Sequence, residues 1–468
     1  MKLDLASAYA ASLARVASWA VIAGVIYDRS GSTAFAAFSI TRAIMTLIAV
    51  SGLGLTPTLV VLLPQFKVRL KSRAEIERDE SGMMMEYETP RKRPEPPADS
   101  LLMDTAFRLV VIAALGVSAL VYLFFEIADS SGWFDSKFAM IVRDGAVGAL
   151  GATFIRLFAD VAGTRLQTSG YLALDFLLQA ATEICWVAIA YPSLHSNQIS
   201  AEAVSIAMGT LMLSNILFGL IRFFLATLLQ SGLGFTLIQF RYAGLLLRTG
   251  SLLMAAQVAD LLYGPANQAL IKAYLTTQSL AEYAPLLHID AALLLGVGGL
   301  ATLLLPKTAI AMGDQNHAAI RRYYVNGTLA SLTLLAAGAA FAWAVAPRLF
   351  KVWFGDPLPA TVALLPLVMI HTVIGGTAGV GRSILFGMNR AAAYTAASLV
   401  GGVANVGLAI LLVTHTALGL RGIILATIIT VVVRCAIWMP WYTLRAIRQE
   451  SAKLDAERMA LAAEPGLP

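Results

Sequence analysis

Twelve long apolar runs dominate the chain, at about residues 7–27, 34–63, 101–125, 144–163, 171–192, 201–228, 247–270, 284–306, 323–346, 361–388, 391–413 and 421–444. A helix needs roughly 20 apolar residues to cross the hydrocarbon core of a bilayer, so each run is a candidate span. Only the helix and the closed barrel satisfy every backbone group in lipid, and runs of this length select the helix. With 58% hydrophobic and 13% charged residues, against about 25% charged in soluble domains, the chain lacks the charge to cover a surface in water. A soluble enzyme, a disordered tail protein and a fibrous repeat are excluded. The prediction is an all-α, polytopic membrane protein. Ala8-Tyr9-Ala10 precedes the first run instead of following it, so that run is expected to be a retained span.

The net charge of +6 reads here as membrane topology and gives no reason to expect nucleic acid. If the N-terminus is inside, the connections on its side and both termini carry 20 Lys and Arg residues, against 6 on the opposite side. The positive-inside bias then places both termini in the cytoplasm, and the expected location is the bacterial cytoplasmic membrane. The loop at 66–100 holds eight basic and eight acidic residues and reads as a mobile cytoplasmic linker. A connection over 229–246 separates six spans in 1–228 from six in 247–445, with 446–468 as a cytoplasmic tail. Six spans per half give both halves the same sense. A parallel repeat is then possible, with faint support from Phe35-x6-Arg42-x9-Gly52 against Tyr283-x6-Asp290-x8-Gly299.

Ionisable residues inside a span cost a few kcal/mol each. Some have simple explanations: Arg108 and Arg222 lie near cytoplasmic ends and are expected to snorkel. Asp104 with Arg108, and Arg156 with Asp160, are four apart on one helix face. Arg15, Arg42, Glu183, Asp260 and Asp290 have no such relief and take partners from other helices, water or a ligand. They are the candidate substrate-binding residues, although stapling the bundle is the open alternative. Pairing of Arg15 or Arg42 with Asp260 or Asp290 would bridge the halves. A guanidinium stays charged and presents a fork matched to phosphate or carboxylate, whereas the aspartates suit a cation or proton.

Gly54, Pro57, Pro265 and Gly299 are the candidate hinges, because glycine permits close helix approach and proline frees carbonyls and bends helices. No catalytic or metal constellation is visible: the five histidines are scattered and no Gly-x4-Gly-Lys-Ser/Thr phosphate loop occurs. Lone polar residues such as His371 and Asn405 read as contacts between helices. Cys185 and Cys435 both fall in apolar runs and indicate no disulfide framework.

An ordered set of short segments carries a family likeness over about 10–445. It comprises Gly52-Leu53-Gly54-Leu55-Thr56-Pro57, Ala259-Asp260-Leu261-Leu262-Tyr263, Tyr283-Ala284-Pro285 and Leu305-Pro306-Lys307-Thr308-Ala309. Further on come Gly313-Asp314, Val352-Trp353-Phe354-Gly355, Leu385-Phe386-Gly387, Asn405 and the stretch Gly419 to Thr427. In these the chain resembles the polysaccharide-transporter branch of the multidrug/oligosaccharidyl-lipid/polysaccharide exporter superfamily, the O-antigen-type lipid-linked oligosaccharide flippases. The resemblance implies two six-helix lobes around a central cavity lined largely by spans one, two, seven and eight. It implies a polyprenyl-pyrophosphate-linked oligosaccharide as substrate, moved by alternating access for surface polysaccharide biosynthesis. The loop Gln65–Asp99 is longer than is usual there, and twelve spans set the chain apart from the peptidoglycan-precursor branch, which has fourteen.

The expected function is therefore a glycolipid flippase and not an enzyme, with the arginines holding the anionic head group. No cofactor is expected, and coupling to sodium or protons is open. Expected partners are the lipid-linked oligosaccharide, membrane lipids, and a polysaccharide polymerase or glycosyltransferases. A cation-coupled multidrug exporter of the same superfamily would instead want a more acidic, aromatic-lined cavity. A non-transporting scaffold for glycosyltransferases would keep all span charges internally paired.

Overall fold

The computed structural model describes residues 2–52, 54–56, 58–59, 98–130, 136–196, 202–229 and 240–463. Pro57 and all but the last residues of the 66–100 loop lie outside them. Among the described residues the chain is helical throughout, with no strand. The first helix, α1, runs Lys2–Ala49 and is followed by a 3-10 turn, Val50–Gly52. Then come α2 Ala98–Ser130, α3 Ser136–Thr168, α4 Leu172–Ser196 and α5 Ala203–Leu229. The second half holds α6 Phe240–Leu261, α7 Gly264–Tyr274, α8 Thr277–Gly313, α9 His317–Phe354, α10 Pro359–Gly387, α11 Ala391–His415 and α12 Leu420–Val431. A π-helical segment, Val432–Trp438, joins α12 to α13, Met439–Ala463.

Eleven helices among the described residues are long and apolar enough to cross a membrane, the first of them Ala6–Ala49. That helix bends at Gly31 into two legs, which correspond to the first two expected spans. The remaining ten match the other expected spans one for one.

Gly31 has φ 78° and ψ −177°, a region essentially reserved for glycine and worth about 1–3 kcal/mol of strain to any other residue. A Cβ there would meet no neighbour within 4 Å, so the demand is one of backbone conformation alone. Gly31→Ala is therefore expected to lower the thermal midpoint in detergent. Gly116→Ala, equally free of neighbours but inside α2, should leave the midpoint unchanged or raise it slightly. Equal responses from the two variants would show that the bend does not depend on glycine.

The chain divides into two compact units. One contains Met1–Arg15, Ile44–Asn197 and Glu202–Gln257, and the other Val16–Ala43 and Val258–Pro468. The expected boundary at residue 228 leaves Val16–Ala43 in the N-terminal half, whereas its packing groups it with the second unit. Tyr27 and Phe35 stack edge-on against Phe354 of α9, with ring centroids 5.0 and 5.5 Å away. The Trp353 indole N–H donates to the carbonyl of Ala20 at 2.7 Å, and Ser39 donates to Gln268 Oε1 of α7 at 3.1 Å.

The first unit has its own core. Leu55, Leu59, Leu102, Met103, Ala106, Leu157, Val161 and Leu246 pack together and are almost wholly buried. Trp186, fully buried, donates its indole N–H to the carbonyl of Ala207 at 2.8 Å, tying α4 to α5. In the second unit the expected interruption at Gly264-Pro265 is present: α6 stops at Leu261 and α7 opens with Pro265 in its first turn. There a missing N–H costs nothing, since the first helical N–H groups have no partner anyway. Gly299 lies inside α8, and Gly54 stands just after the 3-10 turn with φ 62°.

Candidate functional site

In the first unit, three arginines and three carboxylates from α1, α3, α4 and α5 form one connected network. Its inner end is Arg222 of α5, whose side chain is 4% exposed. Arg222 Nε donates to Asp175 Oδ1 at 2.8 Å and Nη1 to Asp160 Oδ1 at 2.9 Å. Asp175, at 0% exposure, accepts two further hydrogen bonds on Oδ2, from Gln167 Nε2 at 2.8 Å and Gln179 Nε2 at 2.9 Å. A buried carboxylate with three donors, one of them a guanidinium, is well provided for, which is the condition for keeping such a charge in an apolar interior. Arg222 therefore does not snorkel as its place near a helix end predicted. Carboxylates on α3 and α4 meet it inside the protein.

Space for the Arg222 head is made by Gly163 of α3. A Cβ on that residue would overlap Arg222 Nη2 and crowd the Asp175 carboxylate.

From Asp175 the network runs outward. A carboxylate only accepts, so the Gln179 amide must turn its NH2 toward Asp175 and leave Oε1 facing away. That oxygen accepts from Arg15 Nη2 at 3.3 Å. Arg15 Nε lies 3.3 Å from Glu183 Oε1, and Arg156 Nη1 approaches the same oxygen at 3.7 Å. Arg156 Nε also lies 3.9 Å from Asp160 Oδ2, closing the circuit. Glu183 is 5% exposed as a side chain, but Arg15 and Arg156 are 39% and 30% exposed. The inner end is tight and dry; the outer end is longer-ranged and open.

Of the residues singled out in the sequence, the structure brings Arg15 and Glu183 together. Arg15 takes a carboxylate from its own unit, because α4 sets Glu183 opposite α1. Asp175, Gln167 and Gln179 were missed, although Asp175, Gln179 and Glu183 recur every fourth residue of α4 and so share one face. Arg156 and Asp160, read as a self-neutralising pair, do face each other at 3.9 Å and are in addition shared with partners on α4 and α5.

Arg42, Asp260 and Asp290 belong to the second unit. Arg42 Nη1 lies 3.1 Å from His288 Nδ1. A guanidinium only donates, so Nδ1 is the acceptor and the ring carries its proton on Nε2. The Arg42 guanidinium also stands 5.0 Å from the Trp19 ring centre, a cation–π arrangement. Asp290 Oδ1 accepts the Thr372 hydroxyl at 2.6 Å. Asp260, near the end of α6, is within electrostatic range of Arg382 and Arg434. The π-helical turn carries Arg434, set 4.7 Å over the Tyr263 ring at the α6–α7 break. Asn267, Asn405 and Thr427 close a buried polar ring in the same unit.

No family model and no curated protein matches the sequence. Solved structures do match across nearly the whole chain. A multidrug resistance MATE family transporter of the MOP superfamily, in its inward-facing conformation, gives a TM-score of 0.68 at 15% identity, over 94% of this chain and 99% of that one. An outward-facing conformation of such a transporter gives 0.61 at 16% identity, over 95% and 96%. A MOP superfamily transporter from Pyrococcus furiosus, described as having a binding pocket whose reversed polarity suggests a different function, gives 0.59 at 15% identity, over 95% and 96%. These neighbours belong to the superfamily whose flippase branch the sequence resembles. At such identities the likeness is one of fold, and this chain has the MATE-like helical fold of the MOP superfamily transporters.

Proposed function

We propose that the protein is a membrane transporter that moves a polyprenyl-pyrophosphate-linked oligosaccharide across the cytoplasmic membrane, with Arg15 among the groups that hold the anionic head. The observation that carries this reading is the outer end of the first unit's network. Two arginine side chains there, 39% and 30% exposed, share one carboxylate oxygen. Such a place attracts an anion and repels a cationic drug. In this reading the termini are cytoplasmic, as the basic loops favour, and the glycan arrives from glycosyltransferases and leaves for a polymerase.

The second reading, a cation-coupled multidrug exporter, is favoured by the names of the structural neighbours. Their fold, however, also serves a protein described as having reversed pocket polarity, so fold alone does not choose a cationic substrate. Sodium and proton coupling both stay compatible with Asp260 and Asp290 in the second unit.

The test is leaflet accessibility of a polyprenyl-pyrophosphate glycan in proteoliposomes. Wild-type protein should expose the glycan, and Arg15→Ala should slow exposure tenfold or more at unchanged abundance. In that variant Glu183 loses the hydrogen bond from Arg15 and keeps the 3.7 Å ion pair with Arg156, so the thermal midpoint is measured beside abundance. A loss of two charge-assisted hydrogen bonds at about 1.5–3 kcal/mol each supports that magnitude. Cation-driven efflux of a hydrophobic dye with no glycan exposure would instead establish the exporter.

A further inference from the structure

Away from the charge network, one stretch of the second unit presents cations that no described residue neutralises. Ile437, Trp441, Arg445 and Arg448 follow one another at steps of four, four and three residues. They therefore form one stripe along the end of the π-helical segment and the start of α13, and all four are exposed. The opposite face is docked: Met439, Thr443, Ala446 and Ile447 are buried where α13 packs on α9 and α10.

Polarity rises along the stripe. Ile437 is apolar, Trp441 is amphipathic and 54% exposed, and the Arg445 guanidinium stands 5.3 Å from the Trp441 ring centre. That is the order of side chains met on passing from hydrocarbon into the head-group layer, where tryptophan collects. Arg445 and Arg448 are neighbours on the helix surface, and neither forms an ion pair with a described residue. The next carboxylate along the chain, Glu450, is taken by Arg390 Nη2 at 2.5 Å, with Lys453 Nζ 3.6 Å away. Arg390 Nη1 also donates to Gln449 Oε1 at 3.3 Å. These bonds hold α13 against the turn between α10 and α11, so the two free guanidiniums stand on a fixed helix.

A second helix brings positive charge to the same end of the unit. A Cβ on Gly381 of α10 would overlap the Met439 sulfur of α13 and lie 3.5 Å from Tyr324 Cε2 of α9, so α9 and α13 meet there. Arg321 and Arg322, in the turn of α9 before Tyr324, are exposed. Thr308 of α8 lies against Gly387, just before Arg390. The start of α9 and the stretch from Arg445 to Glu450 therefore share one end of the unit.

We propose that this face of α9 and α13 binds an anionic glycerophospholipid, with its phosphodiester at Arg445 and Arg448 and an acyl chain along Trp441 and Ile437. The inference is independent of which substrate the protein moves. A zwitterionic lipid also carries a phosphate, but its own ammonium opposes the field of these arginines. A soluble anion would leave Trp441 and Ile437 without a role. The combination of unpaired guanidiniums and an apolar strip selects a ligand that is anionic at one end and hydrocarbon at the other.

The experiment reads Trp441 fluorescence in the full-length protein, held in phosphatidylcholine nanodiscs with rising fractions of phosphatidylglycerol whose acyl chains carry bromine, a contact quencher of tryptophan. Brominated phosphatidylcholine is the reference, and subtraction of the Trp441→Phe signal isolates Trp441 from the other tryptophans. Phosphatidylglycerol should be preferred at Trp441 by about tenfold or more, since each cation at an anionic surface is worth about fivefold. Arg445→Gln with Arg448→Gln should abolish the preference. Arg445→Lys with Arg448→Lys should keep most of it, because the charge remains. Arg348→Gln with Lys351→Gln, which removes two exposed cations near the other end of α9, should leave it unchanged. Thermal midpoints report whether each variant is folded. Arg448→Gln alone, which leaves the Arg445–Trp441 contact in place, should lower the preference about fivefold and serves if the double glutamine variant does not fold. Equal quenching by the two lipids overturns the proposal. So does a folded double glutamine variant that keeps the preference, or an equal loss in Arg348→Gln with Lys351→Gln, which would make the effect one of overall charge.

Discussion

Arg222→Ala is expected to destabilise the first unit by about 3–5 kcal/mol, the usual cost of stripping one partner from a buried ion pair. The arithmetic follows from what stays behind. Asp175 is wholly enclosed, and without Arg222 its negative charge is left to two glutamine amides at 2.8 and 2.9 Å. Asp160 fares better, because its side chain is 28% exposed and Arg156 stands within reach. The damage therefore concentrates on Asp175. The double variant Arg222→Met with Asp175→Leu should recover most of the loss, since well-packed apolar replacements of a buried pair are often neutral. Thermal midpoints in detergent, with membrane abundance beside them, decide the matter. If Arg222→Ala melts within a degree of wild type, or if the double variant is worse than the single, the pair is not the support described here. Gly163→Ala tests the same locus from the other side, by filling the space the guanidinium occupies.

That buried pair also shows how far residue order alone reaches. The number and order of the spans are legible because bilayer thickness imposes one length on every apolar run. The break at Gly264-Pro265 is legible because proline states its own backbone demand. Charges such as Arg15 and Glu183 announce themselves by their cost in lipid. Their partners do not, because α1 and α4 come together only through tertiary packing, with Arg15 and Glu183 separated by 168 positions in the sequence. Arg222 misleads for a related reason. Nearness to a helix end permits snorkelling but does not require it, and two carboxylates on neighbouring helices outcompete water. A better signal was present in the spacing: Arg156, Asp160, Gly163 and Gln167 recur along one face of α3, as Asp175, Gln179 and Glu183 do along α4. Two faces of complementary charge and one glycine between them are what a shared network needs. The grouping of Val16–Ala43 with the second unit left no such trace, since it rests on ring packing and on a tryptophan N–H reaching a backbone carbonyl.

In the second unit, Asn405→Leu is expected to cost about 2 kcal/mol and to loosen the α6–α7 break. Asn405 is completely buried, and both ends of its amide are engaged. Nδ2 donates to the carbonyl of Leu262 at 2.9 Å and to Asn267 Oδ1 at 3.0 Å. Oδ1 accepts from the Thr427 hydroxyl at 3.0 Å. The direction of each bond is fixed, because the Leu262 carbonyl only accepts and Asn267 Nδ2 already donates to Thr427 Oγ1 at 2.8 Å. Leu262 stands where α6 has ended, and terminal helix carbonyls have no partner within their own helix. Asn405 supplies one from α11. Leucine has a similar volume but removes these three bonds at once, together with the weaker 3.5 Å bond that Oδ1 accepts from the Thr430 hydroxyl. Hydrogen bonds between membrane helices average about 0.6 kcal/mol, which sets the estimate below the Arg222 effect. A double-mutant cycle between Asn405→Leu and Asn267→Leu separates network from packing. Groups that share one ring should give a coupling of about 0.5–3 kcal/mol, whereas effects that simply add would mean that the ring is incidental to the stability of the break. Hydrogen exchange over 258–270 supplies the local readout: faster exchange there in Asn405→Leu, with α8 to α10 unchanged, is the expected pattern, and uniform protection would locate the role of Asn405 elsewhere.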